Sequence, residues 1–132
     1  MSLITALALF GLITLILVGL EIMFTYATQG FAFGFSANRH PVARSALGLR
    51  LQRTYQNHVE SASYGVPVLV AGALAGLQGP GVELAALFFV VGRAAFAVLY
   101  LTGIPFVRVP AFVMGTLSTL YIAYAVFTSG VL

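Results

Sequence analysis

Residues 50–60 read RLQRTYQNHVE, and this polar segment decides how the hydrophobic sequence around it is interpreted. On a helix of 3.6 residues per turn, polar side chains spaced by three or four residues share one face. Five side chains in and just after the segment have that spacing: Arg50, Arg53, Asn57, Glu60 and Tyr64. A polar face is costly in lipid, so the segment predicts a buried functional site.

The rest of the chain has the composition of an integral membrane protein. Of its 132 residues, 61% are hydrophobic and 7% are charged, whereas soluble proteins carry about 25% charged residues. The chain has no cysteine, which excludes disulfides and thiolate metal ligands. With two histidines and three carboxylates we expect no metal site. The net charge of +3 is too small and too scattered for a nucleic-acid surface, so we expect no nucleic-acid partner.

Four apolar runs are each long enough to cross a bilayer core of about 30 Å as a helix. We predict helices at about residues 3–26, 47–77, 82–104 and 109–127, which form a single domain over residues 1–132. The expected fold is therefore an all-α bundle of four transmembrane helices. Small residues at packing distance predict close helix contacts at Gly11 and Gly19 and at Gly72 and Gly76.

Arginines mark the expected orientation of the bundle. Arg39, Arg44, Arg50 and Arg53 lie in or near the first predicted loop and Arg108 in the third, whereas the second has no positive residue. The positive-inside rule then places loops one and three in the cytoplasm and both termini outside.

Arg93 lies in the middle of the third predicted helix, where facing lipid costs about 2.5–3.5 kcal/mol. At a rise of 1.5 Å per residue, Glu60 and Arg93 each lie about 17 Å from the end of their helix that is on the same side of the membrane as loop one. Because their depths are equal, we predict an ion pair between them. A strut between two helices explains that pair alone, but not the further polar residues on the same faces. Together they predict a cytoplasm-facing pocket for a small anion, because arginine binds carboxylates with two hydrogen bonds. The pocket residues are Arg53, Asn57, Glu60, Arg93, Tyr100 and Arg108.

The remaining polar and aromatic residues favour simpler interpretations. Glu21 lies near the end of the first predicted helix, where an interfacial side chain is expected. His58 lies off the polar stripe and is interpreted as a packing or interfacial residue. Phenylalanines at 31, 33 and 35 predict an interfacial aromatic belt.

Two motifs resemble the MAPEG family, the membrane-associated proteins in eicosanoid and glutathione metabolism. The first is Arg53-x3-Asn57-x2-Glu60 in the second predicted helix. The second is VGRAAFAVLY at residues 91–100, followed by Gly-Ile-Pro at 103–105 and by Arg108, an ending similar to the bacterial members. The likeness covers nearly the whole chain.

The resemblance implies a homotrimer that binds glutathione between neighbouring subunits on the cytoplasmic side of a bacterial inner membrane. It implies glutathione-dependent transferase or peroxidase activity on hydrophobic electrophiles that arrive through the lipid. Arg108 matches the position assigned to thiolate stabilisation. The positions that contact glutathione or brace its pocket correspond to Arg53, Asn57, Glu60, Arg93 and Tyr100.

The sequence also departs from the family pattern. Pro67 comes seven residues after Glu60, whereas eicosanoid-forming relatives have a proline three or four residues after that glutamate. Val109 replaces the serine of the prostaglandin-synthase branch, which argues against that chemistry. Either Arg39 or Arg44 could be the first-loop arginine of some relatives.

Two other functions remain open. A non-catalytic lipid-binding or scaffold protein of the same family would keep the fold without thiol chemistry. A small proton-coupled multidrug exporter would use Glu21 as its proton carrier, but the absence of tryptophan and the several buried arginines argue against it.

Overall fold

The computed structural model describes residues 1–130 and contains five helices and no strand within that range. They are α1 (Leu3–Gln29), α2 (Phe31–Phe35), α3 (Ala46–Leu74), α4 (Pro80–Thr102) and α5 (Val109–Thr128). In the described part of the chain, α1, α4 and α5 are long and apolar enough to cross a membrane. The all-helical membrane fold is therefore confirmed. Among the long helices, α3 has the length to cross a membrane but not the apolar composition, because its first half carries the polar segment.

Helices α1 and α3 run antiparallel along their whole length. Near the start of α3, a Cβ added to Gly48 would lie 2.9 Å from the Phe24 ring, close to the end of α1. Near the other end, a Cβ added to Gly72 would lie 2.9 Å from Leu3 and 3.2 Å from Ile122 of α5. Glycine at both positions therefore allows α1 and α3 to pack closely at both ends of the bundle.

The hydrophobic core occupies the half of the bundle next to the connection between α3 and α4. It joins α1, α3, α4 and α5 through fully buried side chains that include Phe10, Leu69, Phe89 and Ile122. The polar segment of α3 lies in the opposite half, next to the α1–α3 and α4–α5 connections. The fold therefore separates an apolar half from a half that carries the candidate site.

The backbones of α4 and α5 approach each other closely at Gly92 and Gly115. A Cβ on Gly92 would lie 2.8 Å from both the Ala111 carbonyl oxygen and the Gly115 nitrogen. The sequence analysis missed this contact and selected other glycines. Of those, Gly72 packs closely, whereas Gly11 and Gly19 have no atom within 4 Å of an added Cβ.

Gly76 ends a helix instead of packing against one. It has a φ of +66°, and the backbone N–H of Leu77 donates to the Gly72 carbonyl at 3.0 Å. This left-handed turn ends α3 at Leu74, three residues earlier than the predicted limit of 77.

The first connection contains a short helix that the sequence analysis did not predict. Helix α2 follows α1 after Gly30 and carries the expected aromatic belt. The Tyr26 ring contacts the Phe31 and Phe35 rings, with centroids 5.3 and 5.4 Å apart. Both phenylalanines remain largely exposed, as expected for side chains that meet lipid at an interface.

Candidate functional site

The polar stripe of α3 lies on the flank of the helix instead of facing the centre of the chain. The buried face of α3 is formed by other residues, among them Leu51, Thr54, His58, Ser61 and Gly65. Along the stripe, Arg50 and Asn57 are half-buried, whereas Arg53, Glu60 and Tyr64 are exposed. The stripe exists as the spacing predicts, but only part of it lines the interior of a single chain.

Arg93 is turned inward and almost completely enclosed, with 1% of its surface exposed. One guanidinium nitrogen, Nη2, donates to the side-chain oxygen of Asn57 and, at 3.3 Å, to the Asn57 backbone carbonyl. The guanidinium carbon lies 5.0 Å from the centre of the Phe96 ring and 5.8 Å from that of Phe112. Nε and Nη1 are buried and have no hydrogen-bond partner in the described part of the chain. Arg93 therefore has two unused donors in the polar half of the bundle.

The predicted ion pair between Glu60 and Arg93 is wrong for the single chain. The comparison of depths placed both residues at the same level but ignored their angular position around α3. Asn57 lies one turn away from Glu60 along α3 and faces α4, whereas Glu60 is rotated outward and exposed. The acceptor of Arg93 within the chain is therefore an amide.

Arg108 and Tyr100 form a second part of the site, where α4 ends and α5 begins. Arg108 occupies the N-cap position of α5, and its guanidinium carbon lies 4.3 Å from the centre of the Tyr100 ring. Such stacking holds a cation in place while leaving its N–H groups available. No carboxylate pairs with Arg108 in residues 1–130.

Arg53 is exposed on the single chain and does not reach the enclosed guanidinium of Arg93. Within residues 1–130 the structure does not bring Arg53 and Arg93 together, so the pocket that includes both stays a prediction. The reason is again angular, because Arg53 lies on the outer side of the stripe with Glu60.

Arg39 and Arg44, the two candidate arginines of the first loop, both have partners near α1. Arg44 Nη1 lies 2.9 Å from Glu21 Oε1, and the Thr25 hydroxyl donates to the same oxygen at 3.2 Å. Arg39 donates to the Gly34 carbonyl and lies 5.8 Å from the centre of the Phe33 ring. In the single chain neither arginine contacts Arg93 or Tyr100.

Glu21 is therefore paired and not simply interfacial. The side chains of Glu21 and Arg44 are 18% and 20% exposed, so the pair is largely shielded. An exporter would need a free carboxylate in an uncharged cavity. The pairing of Glu21 with Arg44 argues against that function.

His58 has the packing role that the sequence favours. It is fully buried, and its ring stacks on Phe10 with centroids 5.1 Å apart and an angle of 12° between the ring planes. Neither ring nitrogen has a hydrogen-bond partner between residues 1 and 130. The side chain fills the space between α3 and α1.

Comparison with known proteins adds one finding to this geometry. The model of the MAPEG family matches residues 3–128, which is nearly the whole chain. Neither the curated proteins nor the solved structures provide a match.

Proposed function

The chain belongs to the MAPEG family, and from this membership we propose that it is a glutathione-dependent membrane enzyme. Its reaction is transfer of glutathione to a hydrophobic electrophile or reduction of a hydrophobic peroxide. In this proposal Arg108 stabilises the thiolate, and Arg53, Asn57, Glu60, Arg93 and Tyr100 bind or orient the tripeptide. The main supporting observation is the guanidinium of Arg108, which is held over a tyrosine ring and has no carboxylate partner among residues 1–130.

All four long helices cross the membrane in this proposal. Helix α3 packs antiparallel against α1 over the part of α1 between Leu3 and Phe24. If α1 crosses the bilayer, α3 therefore crosses it as well. Its 29 residues extend about 43 Å, which is more than a hydrocarbon core of ~30 Å requires. The excess length lets the arginine end of α3 reach the headgroup region.

The exposed flank of α3 supports a homotrimer. Arg53, Gln56, Glu60 and Ser63 are exposed on this flank of the single chain. Glu60 and Ser63 lie deeper in the span than the arginine end, and polar groups facing acyl chains there are unfavourable, so another polar surface must cover them. Neighbouring copies of the chain would cover this flank, and a glutathione site between subunits would use Arg53 and Glu60 from it. Mass measurement of the intact assembly in detergent tests the expected number of three chains.

The chemistry follows from a cation placed next to a thiol. A free thiol has a pKa of about 8.5, and each unit by which a cation lowers it corresponds to about 1.4 kcal/mol of thiolate stabilisation. The thiol proton passes to water, the thiolate sulfur bonds to the electrophilic carbon, and the leaving group departs with the bond electrons. With a peroxide, the thiolate attacks oxygen instead, and a second glutathione completes the reduction. Delivery through the lipid suits electrophiles of low water solubility.

Replacing Arg108 tests this proposal directly. In Arg108→Ala, we expect the thiol pKa of bound glutathione to rise by about one unit or more, with turnover reduced about 10-fold or more. Glutathione should still bind, because Arg93 and the α3 stripe remain. Titration calorimetry measures binding, and the ultraviolet absorbance of the thiolate measures ionisation. The proposal is rejected if neither protein binds glutathione.

Tyr100 provides the matched control for this experiment. Tyr100→Phe keeps an aromatic ring beneath Arg108, so the thiol pKa should stay at its wild-type value even if the lost hydroxyl weakens binding. Tyr100→Leu removes the ring and should behave like Arg108→Ala. An equal effect of both substitutions would show that the hydroxyl, and not the stacking, supports the thiolate.

A non-catalytic lipid-binding role is the second candidate, and one feature favours it. An apolar groove of about 610 Å³ lies between α4 and α5, lined by residues that include Leu84, Phe88, Val113 and Leu117. An acyl chain could lie in such a groove. Glutathione binding without any activity on a generic aromatic chloride would favour this candidate, whereas conjugation of that compound would support the enzyme.

The proposed orientation places the α1–α3 and α4–α5 connections in the cytoplasm of a bacterium. Because the chain has no cysteine, single cysteines can report on each side. Ala37→Cys should react with a membrane-impermeant maleimide only after permeabilisation, whereas Gln78→Cys should react in intact cells. Both positions are exposed. The opposite labelling pattern would reverse the assigned orientation.

A further inference from the structure

The side chain of Arg50 makes a contact that the polar stripe of α3 does not explain. Its guanidinium lies against the backbone where α4 ends, so that a Cβ on Gly103 would be 2.7 Å from Nη1 and 3.1 Å from Cζ. Gly103 has a φ of +75° and closes α4 in the left-handed conformation. The left-handed turn favours glycine at this position, and the absence of a side chain there leaves room for the Arg50 guanidinium.

The guanidinium of Arg50 has no partner of its own. It forms no hydrogen bond and no ion pair with any residue between 1 and 130, and its Nε is buried without an acceptor. All three glutamates lie elsewhere: Glu21 pairs with Arg44, Glu60 lies on the outer flank of α3, and Glu83 lies at the far end of α4. Arg50 is thus a half-buried cation without a neutralising group.

Arg50 and Arg108 contact the same backbone turn, at residues 100–103. The Gly103 N–H donates to the Tyr100 carbonyl at 3.2 Å, so residues 100–103 form one turn. Arg50 contacts this turn at Gly103, and Arg108 covers the Tyr100 ring. Two guanidinium groups at one turn repel each other, and a bound anion removes that repulsion.

We propose that Arg50 binds one carboxylate of glutathione while Arg108 faces the thiol of the same molecule. This inference rests on the proposed function and adds a carboxylate-binding residue to the site. A planar guanidinium with free N–H groups suits a carboxylate, which it can bind through two hydrogen bonds. The turn at residues 100–103 holds Arg50 and Arg108 at one end of α4 and thereby sets where the tripeptide lies.

The competing explanation is structural. A cation near the end of a helix also interacts favourably with its C-terminal carbonyls. A purely structural role predicts that Arg50→Gln is less stable than the wild type. It does not predict that the loss of affinity depends on which carboxylate the ligand carries. The distinguishing measurement therefore varies both the protein and the ligand.

The experiment measures the affinity of the whole protein in detergent for three ligands by titration calorimetry. The ligands are glutathione, its glycine monoethyl ester, and an analogue whose γ-glutamyl α-carboxylate is amidated. In Arg50→Gln, we expect affinity for glutathione to fall about 10-fold or more, the loss typical of a hydrogen bond to a charged group. One of the two analogues should bind wild type and variant within about threefold, because it lacks the carboxylate that Arg50 binds.

Two further variants serve as controls. Arg39→Gln removes the same charge from the same end of the bundle, but its guanidinium already donates to Gly34. We expect it to weaken all three ligands equally and by less than about twofold. Arg50→Lys keeps the charge without the planar pair of donors and should lose part of the affinity, which preserves the test if Arg50→Gln does not fold.

The outcomes separate this inference from the proposed function. If Arg50→Gln weakens all three ligands by the same factor, or none of them, Arg50 does not bind a carboxylate and the inference is overturned. Glutathione binding by the wild-type protein leaves the proposed function standing in that case. If the wild-type protein does not bind glutathione, both fail.

Discussion

Replacing Asn57 by leucine should lower the unfolding free energy by about 1.5–3 kcal/mol, the contribution typical of a hydrogen bond to a charged group. Asn57 is the only hydrogen-bond acceptor of Arg93 within residues 1–130, and Arg93 is 1% exposed. The leucine removes the amide oxygen and leaves the enclosed guanidinium with only the backbone carbonyl of residue 57, at 3.3 Å, as an acceptor. Unfolding in lipid–detergent bicelles, followed by steric trapping or by denaturant, measures the difference.

The size of the stability loss distinguishes a hydrogen bond to a charged group from a hydrogen bond between neutral groups. Hydrogen bonds between membrane helices contribute about 0.6 kcal/mol on average. Thr119→Val is a suitable control, because its buried hydroxyl donates to the Gly115 carbonyl at 3.0 Å and carries no charge. We expect this control to lose no more than about 0.6 kcal/mol. A similarly small loss for Asn57→Leu would mean that Arg93 finds another acceptor.

The double variant Asn57→Leu with Arg93→Met should recover most of the lost stability. Replacing a buried polar pair by apolar groups of similar volume is often neutral or stabilising. The double variant would fold, but it would lack two of the proposed glutathione-binding residues and should not bind the tripeptide. Restored folding together with wild-type affinity would contradict the binding role of both residues.

Gly92→Ala is expected to be the second most damaging substitution, at about 1–3 kcal/mol. The added methyl group would lie 2.8 Å from the Ala111 carbonyl oxygen and from the Gly115 nitrogen. Both atoms belong to the backbone, so no side chain can rotate away and α5 must move as a whole. Because Arg93 follows Gly92 directly and its side chain lies next to Gly115, we expect glutathione affinity to fall as well. Thermal unfolding and calorimetry of the same preparation measure the two effects.

Gly11→Ala is the matched control for Gly92→Ala. It makes the same chemical change in a membrane helix, but no atom lies within 4 Å of the added Cβ. The expected change is within about 0.5 kcal/mol of zero. A loss as large as that of Gly92→Ala would show that Gly11 contacts a neighbouring subunit.

The sequence predicted the burial of Arg93 but not the residue with which it pairs. Arg93 was expected to be buried because of its position in an apolar helix, and it is. Its partner was expected to be Glu60, because both lie at similar depth, but the structure selects Asn57. Depth follows from counting residues along a helix. Orientation depends on the rotation and distance of two helices, which one sequence does not specify.

Other differences have the same origin. Gly92 and Gly115, which allow α4 and α5 to touch, lie on different helices and form no spacing pattern, whereas Gly11 and Gly19 form one within α1 and have no atom of residues 1–130 within 4 Å of an added Cβ. Arg44 and not Arg39 pairs with Glu21, because α1 and the loop place it within 2.9 Å. In each case the sequence indicated which type of residue makes the contact, and the packing of the helices determined which residue of that type does so.

Composition alone established that this protein is built of membrane helices and that its arginines must avoid lipid. Both conclusions follow from the transfer free energy of each side chain, which depends on the side chain and its medium and not on its neighbours. Only the folded structure assigned Asn57 to Arg93, Glu21 to Arg44 and Tyr100 to Arg108. Hydrogen bonds and stacking require separations correct to a few tenths of an ångström, and in this protein those separations arise where the helices meet.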